Sequence, residues 1–130
     1  MDRSVSPVLD ASALICLARR EPGWEKVAAF GLACDLSAVN LTEVAYRLSS
    51  RGMPMDSIEP LVRPMVGQIV PFDDRQAILA AVIHGNTREH GLSLADCACL
   101  ALGMSRKAIV VTADRKWALL KLDLKIVQIR

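Results

Sequence analysis

Short apolar runs alternate along this chain with longer stretches in which apolar residues recur at helical spacing. Residues 5–9 predict a strand and 13–20 a helix, stopped by Glu21-Pro22-Gly23, because proline and glycine both break the pattern. A second short helix is expected over 24–32 and a strand over 35–39. From Asn40 to about Ser50, Leu41, Val44, Ala45 and Leu48 fall on one helical face, with Arg47 and Arg51 on another, until Gly52-Met53-Pro54 ends the run. Residues 55–66 predict a helix interrupted near Pro60 and Pro64.

The second half repeats the alternation. A strand over 68–72 leads to Asp73, a cap for a helix running towards Glu89 and closed by His90-Gly91. Ser93 starts an unusually small-residue helix, 94–103, suited to packing tightly on a sheet. Residues 108–112 form the clearest strand, followed by a short helix over 117–122 and a last strand over 125–129. Short strands alternating with helices predict an α/β fold, a three-layer α/β/α sandwich with a mainly parallel central sheet. With 130 residues and no linker, repeat or low-complexity tract, a single domain over 1–130 is expected.

Four acids punctuate this pattern. Asp10 follows the first strand and Asp114 the late one, at the carboxyl edge where open α/β sheets bind ligands, while Glu43 and Asp96 sit in the first turns of two helices. Taken singly, each has a structural explanation. Asn40-x-x-Glu43 and Ser93-x-x-Asp96 resemble capping boxes, and Asp10 and Asp114 can cap the helices they precede. Capping does not require that all four share one sheet edge. If three carboxylates meet, they repel by several kcal/mol even at an effective dielectric near 20, and a divalent cation is the natural counter-charge. An all-oxygen donor set favours Mg²⁺ or Mn²⁺ over zinc. Ser12 and Thr112, each two residues from a key aspartate, carry hydroxyls placed either to orient a carboxylate or a metal-bound water, or equally to cap a helix or bond a turn. Asn40 either caps its helix or faces the site, and the cap is the favoured reading.

Composition narrows the class. Hydrophobic residues make up 52% of the chain, yet every apolar run is cut well short of the roughly 18 residues a membrane span needs, so no membrane partner is expected. The first residues lack an apolar stretch of secretory type, which makes the cytoplasm the expected compartment. Cys16, Cys34, Cys97 and Cys99 lie in apolar surroundings without zinc spacing and read as reduced core thiols. His84 and His90 lack ligand-spaced partners, and Trp24 and Trp117 read as core anchors. Net charge is only +2, but residues 97–130 hold seven Lys/Arg against Asp114 and Asp123, a local +5 that leaves −3 on the remainder. That polarity suits a polyanion approaching an acidic centre, and equally a solvated face.

Together, Val8-Leu9-Asp10-Ala11-Ser12-Ala13, Asn40-Leu41-Thr42-Glu43-Val44, Leu92-Ser93-Leu94-Ala95-Asp96-Cys97 and Thr112-Ala113-Asp114-Arg115 resemble the PIN-domain ribonucleases, particularly the VapC-like toxins of VapBC toxin–antitoxin pairs. Each motif is weak alone; their order and spacing over nearly the whole chain carry the likeness. The resemblance implies an α/β/α sandwich, a homodimer, an RNA substrate and a cognate antitoxin. It also implies Asp10, Glu43 and Asp96 as a metal-binding core, with Asp114 as a fourth acid.

The expected reaction is metal-dependent hydrolysis of an RNA phosphodiester by in-line attack of water, with Arg115 and Lys116 either contacting phosphate or lying on a solvated surface. A haloacid-dehalogenase-like phosphatase also places an aspartate after its first strand, but it wants a second two residues on, where this chain has Ser12. The third alternative is a non-catalytic PIN-like binding module or scaffold whose acids merely cap helices.

Overall fold

The structure, a computed structural model, describes residues 5–30 and 33–130. Its elements are β1 (Val8–Leu9), α1 (Ala11–Arg19), α2 (Trp24–Ala28), β2 (Asp35–Ser37), α3 (Ala38–Ser49), α4 (Met55–Val62), β3 (Gln68–Val70), α5 (Asp74–Asn86), α6 (Leu94–Arg106), β4 (Val110–Thr112) and β5 (Ile126–Gln128). The 3₁₀ segments Arg63–Met65, Arg88–His90 and Arg115–Leu119 lie between them.

The sheet order is β3-β2-β1-β4-β5, and all four pairings are parallel. The chain therefore moves outward from β1 through β2 to β3, then returns to β1's other side to lay down β4 and β5. That reversal opens a crevice between the carboxyl ends of β1 and β4, the switch point at which doubly wound sheets bind ligands.

Strand pleating sends neighbouring residues to opposite cores. Leu9 and Val111 join Leu14, Ile15, Val44, Leu48 and Ile58 beneath α1, α3 and α4, whereas Val8 and Val110 join Ile83, Leu100, Leu102 and Trp117 beneath α5 and α6. Both faces of the sheet are thus covered, which gives the three layers. All four cysteines are free and buried. Trp117 is fully buried, but Trp24 is only half-buried, and the Arg20 guanidinium lies 5.0 Å over its ring. No helix among the described residues is long and apolar enough to cross a membrane.

Element boundaries depart from the periodicity where caps decide them. The first helix begins at Ala11, two residues early, because Asp10 itself caps it by accepting from Ala13 N. The third begins at Ala38 because Ser37 Oγ accepts from Val39 N, so Asn40 lies inside α3 and is not its cap. Pro60 is tolerated within α4, and the turn at Pro64 tightens into 3₁₀ geometry. The helix expected over 117–122 is instead the 3₁₀ segment opened by Asp114. The end of the helix expected over 24–32 falls at residues 31–32, outside the described residues.

At the sheet's other edge, Asp35 opens β2 in a buried position and pairs with the Arg106 guanidinium from the end of α6. Burial pushes the Asp35 carboxyl up, and Arg106 pulls it down. The close seat of α6 on the sheet has a specific cause: a Cβ on Gly103 would overlap Val110 Cγ2. Gly103→Ala is therefore expected to destabilise the fold by about 1–3 kcal/mol despite alanine's better helix propensity. A urea-unfolding midpoint equal to or above that of the parent protein would contradict this packing.

Candidate metal centre

Asp10 stands at the switch point with only 4% of its surface exposed. Its Oδ1 accepts from Ala13 N at 2.8 Å and Ser12 Oγ at 2.7 Å, while Oδ2 accepts from Thr112 Oγ1 at 2.5 Å. Ser12 Oγ in turn accepts from Ala113 N at 3.0 Å, and Thr112 Oγ1 accepts from Asp114 N at 3.0 Å. The two hydroxyls therefore tie the start of α1 to the turn after β4. Gln128 of β5 holds that turn from the other side, its Nε2 donating to the carbonyls of Asp114 at 3.1 Å and Arg115 at 2.8 Å.

Glu43 and Asp96 reach the same crevice from α3 and α6. The Asn40 amide joins the two helices, its Nδ2 donating to Ala95 O at 3.1 Å. Asn40 is buried, and its Oδ1 has no partner among the described residues. Asp10, Glu43, Asp96 and Asp114 together line one cleft of about 250 Å³, with Ser12, Arg47 and Arg130 at its walls. Arg115 and Lys116 are exposed beside it on the β4 side.

Each of the other three acids also keeps a local bond. Asp96 completes a capping box with Ser93, accepting from its N–H at 3.0 Å through Oδ2. Asp114 Oδ1 accepts from Lys116 N at 2.9 Å. Glu43 faces Arg47, with Nη1 to Oε2 at 3.6 Å. These engagements hold the carboxylates apart: among the described residues, no three acidic, histidine or cysteine side chains are drawn up in ion-holding geometry. His84 and His90 do not line the cleft.

Burial dominates the electrostatics of the two inner acids. Burial pushes Asp10 up to about 6, outweighing the hydrogen bonds from Thr112, Ala13 and Ser12, and the charge of Asp96 pushes it the same way. Burial and Asp96 also raise Glu43, against Arg47 and Asn40. Among the described residues every donor to Asp10 is neutral, and the oxygen-only acids of the lining fit a hard divalent ion.

Arg47 and Arg130 line the cleft and Gln128 braces the turn beside it, none of them expected from the sequence, while Asn40, favoured there as a cap over facing the site, joins α3 to Ala95 O. Arg47 was within reach of the sequence, since it lies four residues after Glu43 on one helix face. Arg130 and Gln128 follow the last strand's pairing with β4, and local spacing carries no signal for that.

The family model of the PIN domain matches residues 8–122. The chain belongs to the PIN domain family. Among solved structures, this PIN domain is similar to the sarcin-ricin-loop-cleaving toxin VapC20 of Mycobacterium tuberculosis. The TM-score is 0.74 at 15% identity, over 92% of this chain and 99% of that one. DNA-bound VapBC from Salmonella typhimurium gives a TM-score of 0.72 at 15% identity, over 97% and 99% of the two chains. FitAB bound to a DNA fragment gives 0.63 at 25% identity, over 94% of each. No protein of curated function matches the sequence.

The raised carboxyl of Asp10 has a consequence for the metal-free PIN domain. Between about pH 3.8, its ordinary value, and about 6, the folded state holds a proton that the unfolded chain has released, so stability falls as pH rises through that window. Asp10→Asn removes this loss. In a chelator, the variant should gain on the parent between pH 4 and 6 by on the order of 3 kcal/mol. Parallel stability-versus-pH curves for the two proteins would rule out the buried carboxylate as the source.

Proposed function

We propose that this PIN domain is a metal-dependent endoribonuclease and the toxin of a toxin–antitoxin pair. The observation that carries this reading is the arrival of four carboxylates from four separate elements at one switch-point cleft, around an aspartate whose hydrogen-bond donors among the described residues are all neutral. The structural neighbours support the toxin assignment and the antitoxin partner, several of them being toxin–antitoxin complexes.

In this reading Asp10 and Asp96 hold a Mg²⁺ or Mn²⁺ ion, Glu43 completes the shell or orients water, and Asp114 helps to hold a second ion. When bound, the ion supplies counter-charge, Lewis acidity towards a phosphoryl oxygen and a lowered pKa for water. The chain's own groups supply the rest. Ser12 and Thr112 donate to Asp10 and fix its rotamer, so that its lone pairs are aimed before ligand arrives. Glu43, at the cleft wall beside Arg47, is placed to orient the attacking water. Arg115 and Lys116, exposed beyond Asp114, hold a flanking phosphate. Exposed apolar side chains support a homodimer: Tyr46 and Met55 within residues 40–66, and Phe72, Ile78, Val82 and Leu94 about α5 and α6.

A second reading has its own observation. Asp10, Asp96 and Asp114 each bond the first turn of a helical segment, which is all that a non-catalytic scaffold requires. The two readings part on metal. Mg²⁺ or Mn²⁺ is expected to raise the parent protein's melting temperature and to support RNA cleavage, and Asp10→Asn to abolish both while remaining folded. No metal-dependent shift and no cleavage in the purified parent protein would favour the scaffold.

Thr112→Val tests the supporting network separately. Losing a residue that merely orients a metal ligand costs about 10–100-fold. The variant should therefore cut RNA that much more slowly with its circular dichroism unchanged, and parent-like rates would remove Thr112 from the machinery.

A further inference from the structure

We propose that Arg47, Arg51, Arg19 and Arg130 form a docking track for the backbone phosphates of single-stranded RNA, leading out of the acidic cleft along α3. The identity of the strand rests on the nuclease reading above.

Glu43, Arg47 and Arg51 follow one another at intervals of four residues along α3 and just past its end, so they lie on one face in steps of about 6 Å. The first lines the cleft, the second lines it too, and the third stands beyond. Arg51 there meets two other arginines around a single acid. Arg51 Nη1 and Arg19 Nε lie 3.8 and 3.7 Å from Glu21 Oε2, and Arg130 Nη1 lies 3.6 Å from Oε1. Three guanidinium groups from three parts of the chain thus share one carboxylate and leave a surplus of positive charge. Glu25, the other acid near this group, forms no ion pair among the described residues.

The geometry is that of a gathered but uncommitted set. A guanidinium locked in a structural pair closes short, often bidentate bonds. None of these three contacts reaches hydrogen-bond distance, and the arginine side chains remain 35–46% exposed. Arg130 is steadied instead by Pro22 O, to which its Nη1 donates at 3.2 Å. Glu21 draws the forks together without saturating them, and their free N–H groups face solvent, where a phosphate's oxygens satisfy them. Arg130 belongs to both places, lining the cleft and pairing with Glu21, so the basic group is continuous with the acids. Arg115 and Lys116 flank the cleft on its β4 side. A strand crossing the acids therefore has cations on either hand.

The test separates docking from chemistry by reading binding in an Asp10→Asn background. A labelled single-stranded oligoribonucleotide is titrated by fluorescence anisotropy at several salt concentrations. Arg51→Gln should weaken binding several-fold, irrespective of base sequence, and lower the slope of log affinity against log salt by about 0.7; adding Arg19→Gln should double that loss. Arg51→Lys, which keeps the charge, should restore the slope. With Asp10 intact, the same variants should raise KM for a long RNA more than they lower kcat. Affinity and salt slope unchanged in Arg19→Gln/Arg51→Gln, with the RNA still cut, would overturn the track alone. Salt-dependent binding that these variants weaken, in a protein that cuts no RNA under any metal, would overturn the nuclease reading and leave the track. Lost affinity that Arg51→Lys fails to restore would also overturn it, because a structural role for Arg51 predicts that result.

Discussion

The carboxylate of Asp10 is the constraint around which the molecule is arranged. It sits where β1 ends, α1 begins and β4 passes, and its two oxygens take bonds from both flanking elements: Ala13 N and Ser12 in α1, and Thr112 in β4. Removing a charge from water at this point is costly, and burial pushes the carboxyl up to about 6. An apolar residue of similar shape would relieve that cost. The fold instead surrounds the carboxylate with neutral donors that fix its orientation.

The remaining acids obey the same logic with less burial. Each is anchored by one local contact: Asp96 by its capping box, Asp114 by Lys116 N and Glu43 by Arg47. An acid that caps and an acid that binds are therefore not alternatives. The cap sets the backbone position and half the valence of the carboxylate, and among the described residues Asp96 Oδ1 and Asp114 Oδ2 accept no hydrogen bond. The cleft thus collects four acids, each held by its own local contact, without drawing any three of the described side chains into ion-holding geometry.

Legibility in the sequence depends on the range of the interactions involved. Asp73 before α5, and Ser93 with Asp96 at α6, were readable because caps act within four residues. The parallel α/β class was readable because both-face burial makes short apolar runs such as Val8-Leu9 and Val110-Val111. Where two local signals compete, the reading slipped. Ser37 and Asn40 are both good caps, and only the register of β2 against β1 decides that the chain turns at Ser37, leaving Asn40 to cross to Ala95 O. Wholly non-local features left no trace: Asp35 with Arg106, and the gathering of Arg19, Arg51 and Arg130 on Glu21, join residues up to more than a hundred positions apart.

Charge shows the difference most clearly. The basic bias of residues 97–130 suggests one cationic surface, but a parallel sheet has two edges and the chain visits both. Arg106 and Lys107 end α6 at the amino edge, where Arg106 is spent on the buried Asp35 and Lys107 closes the helix in a left-handed conformation. Lys125 precedes β5 at that same edge, whereas Arg115, Lys116 and Arg130 lie past the ends of β4 and β5, at the edge that carries the acids. The positive charge available to a polyanion at the cleft is therefore only part of the linear surplus. It is made up by Arg47 of α3, Arg51 just past the end of that helix and Arg19 of α1, residues from the part of the chain that counts as acidic. Strand direction, more than composition, determines which face of this protein a polyanion meets.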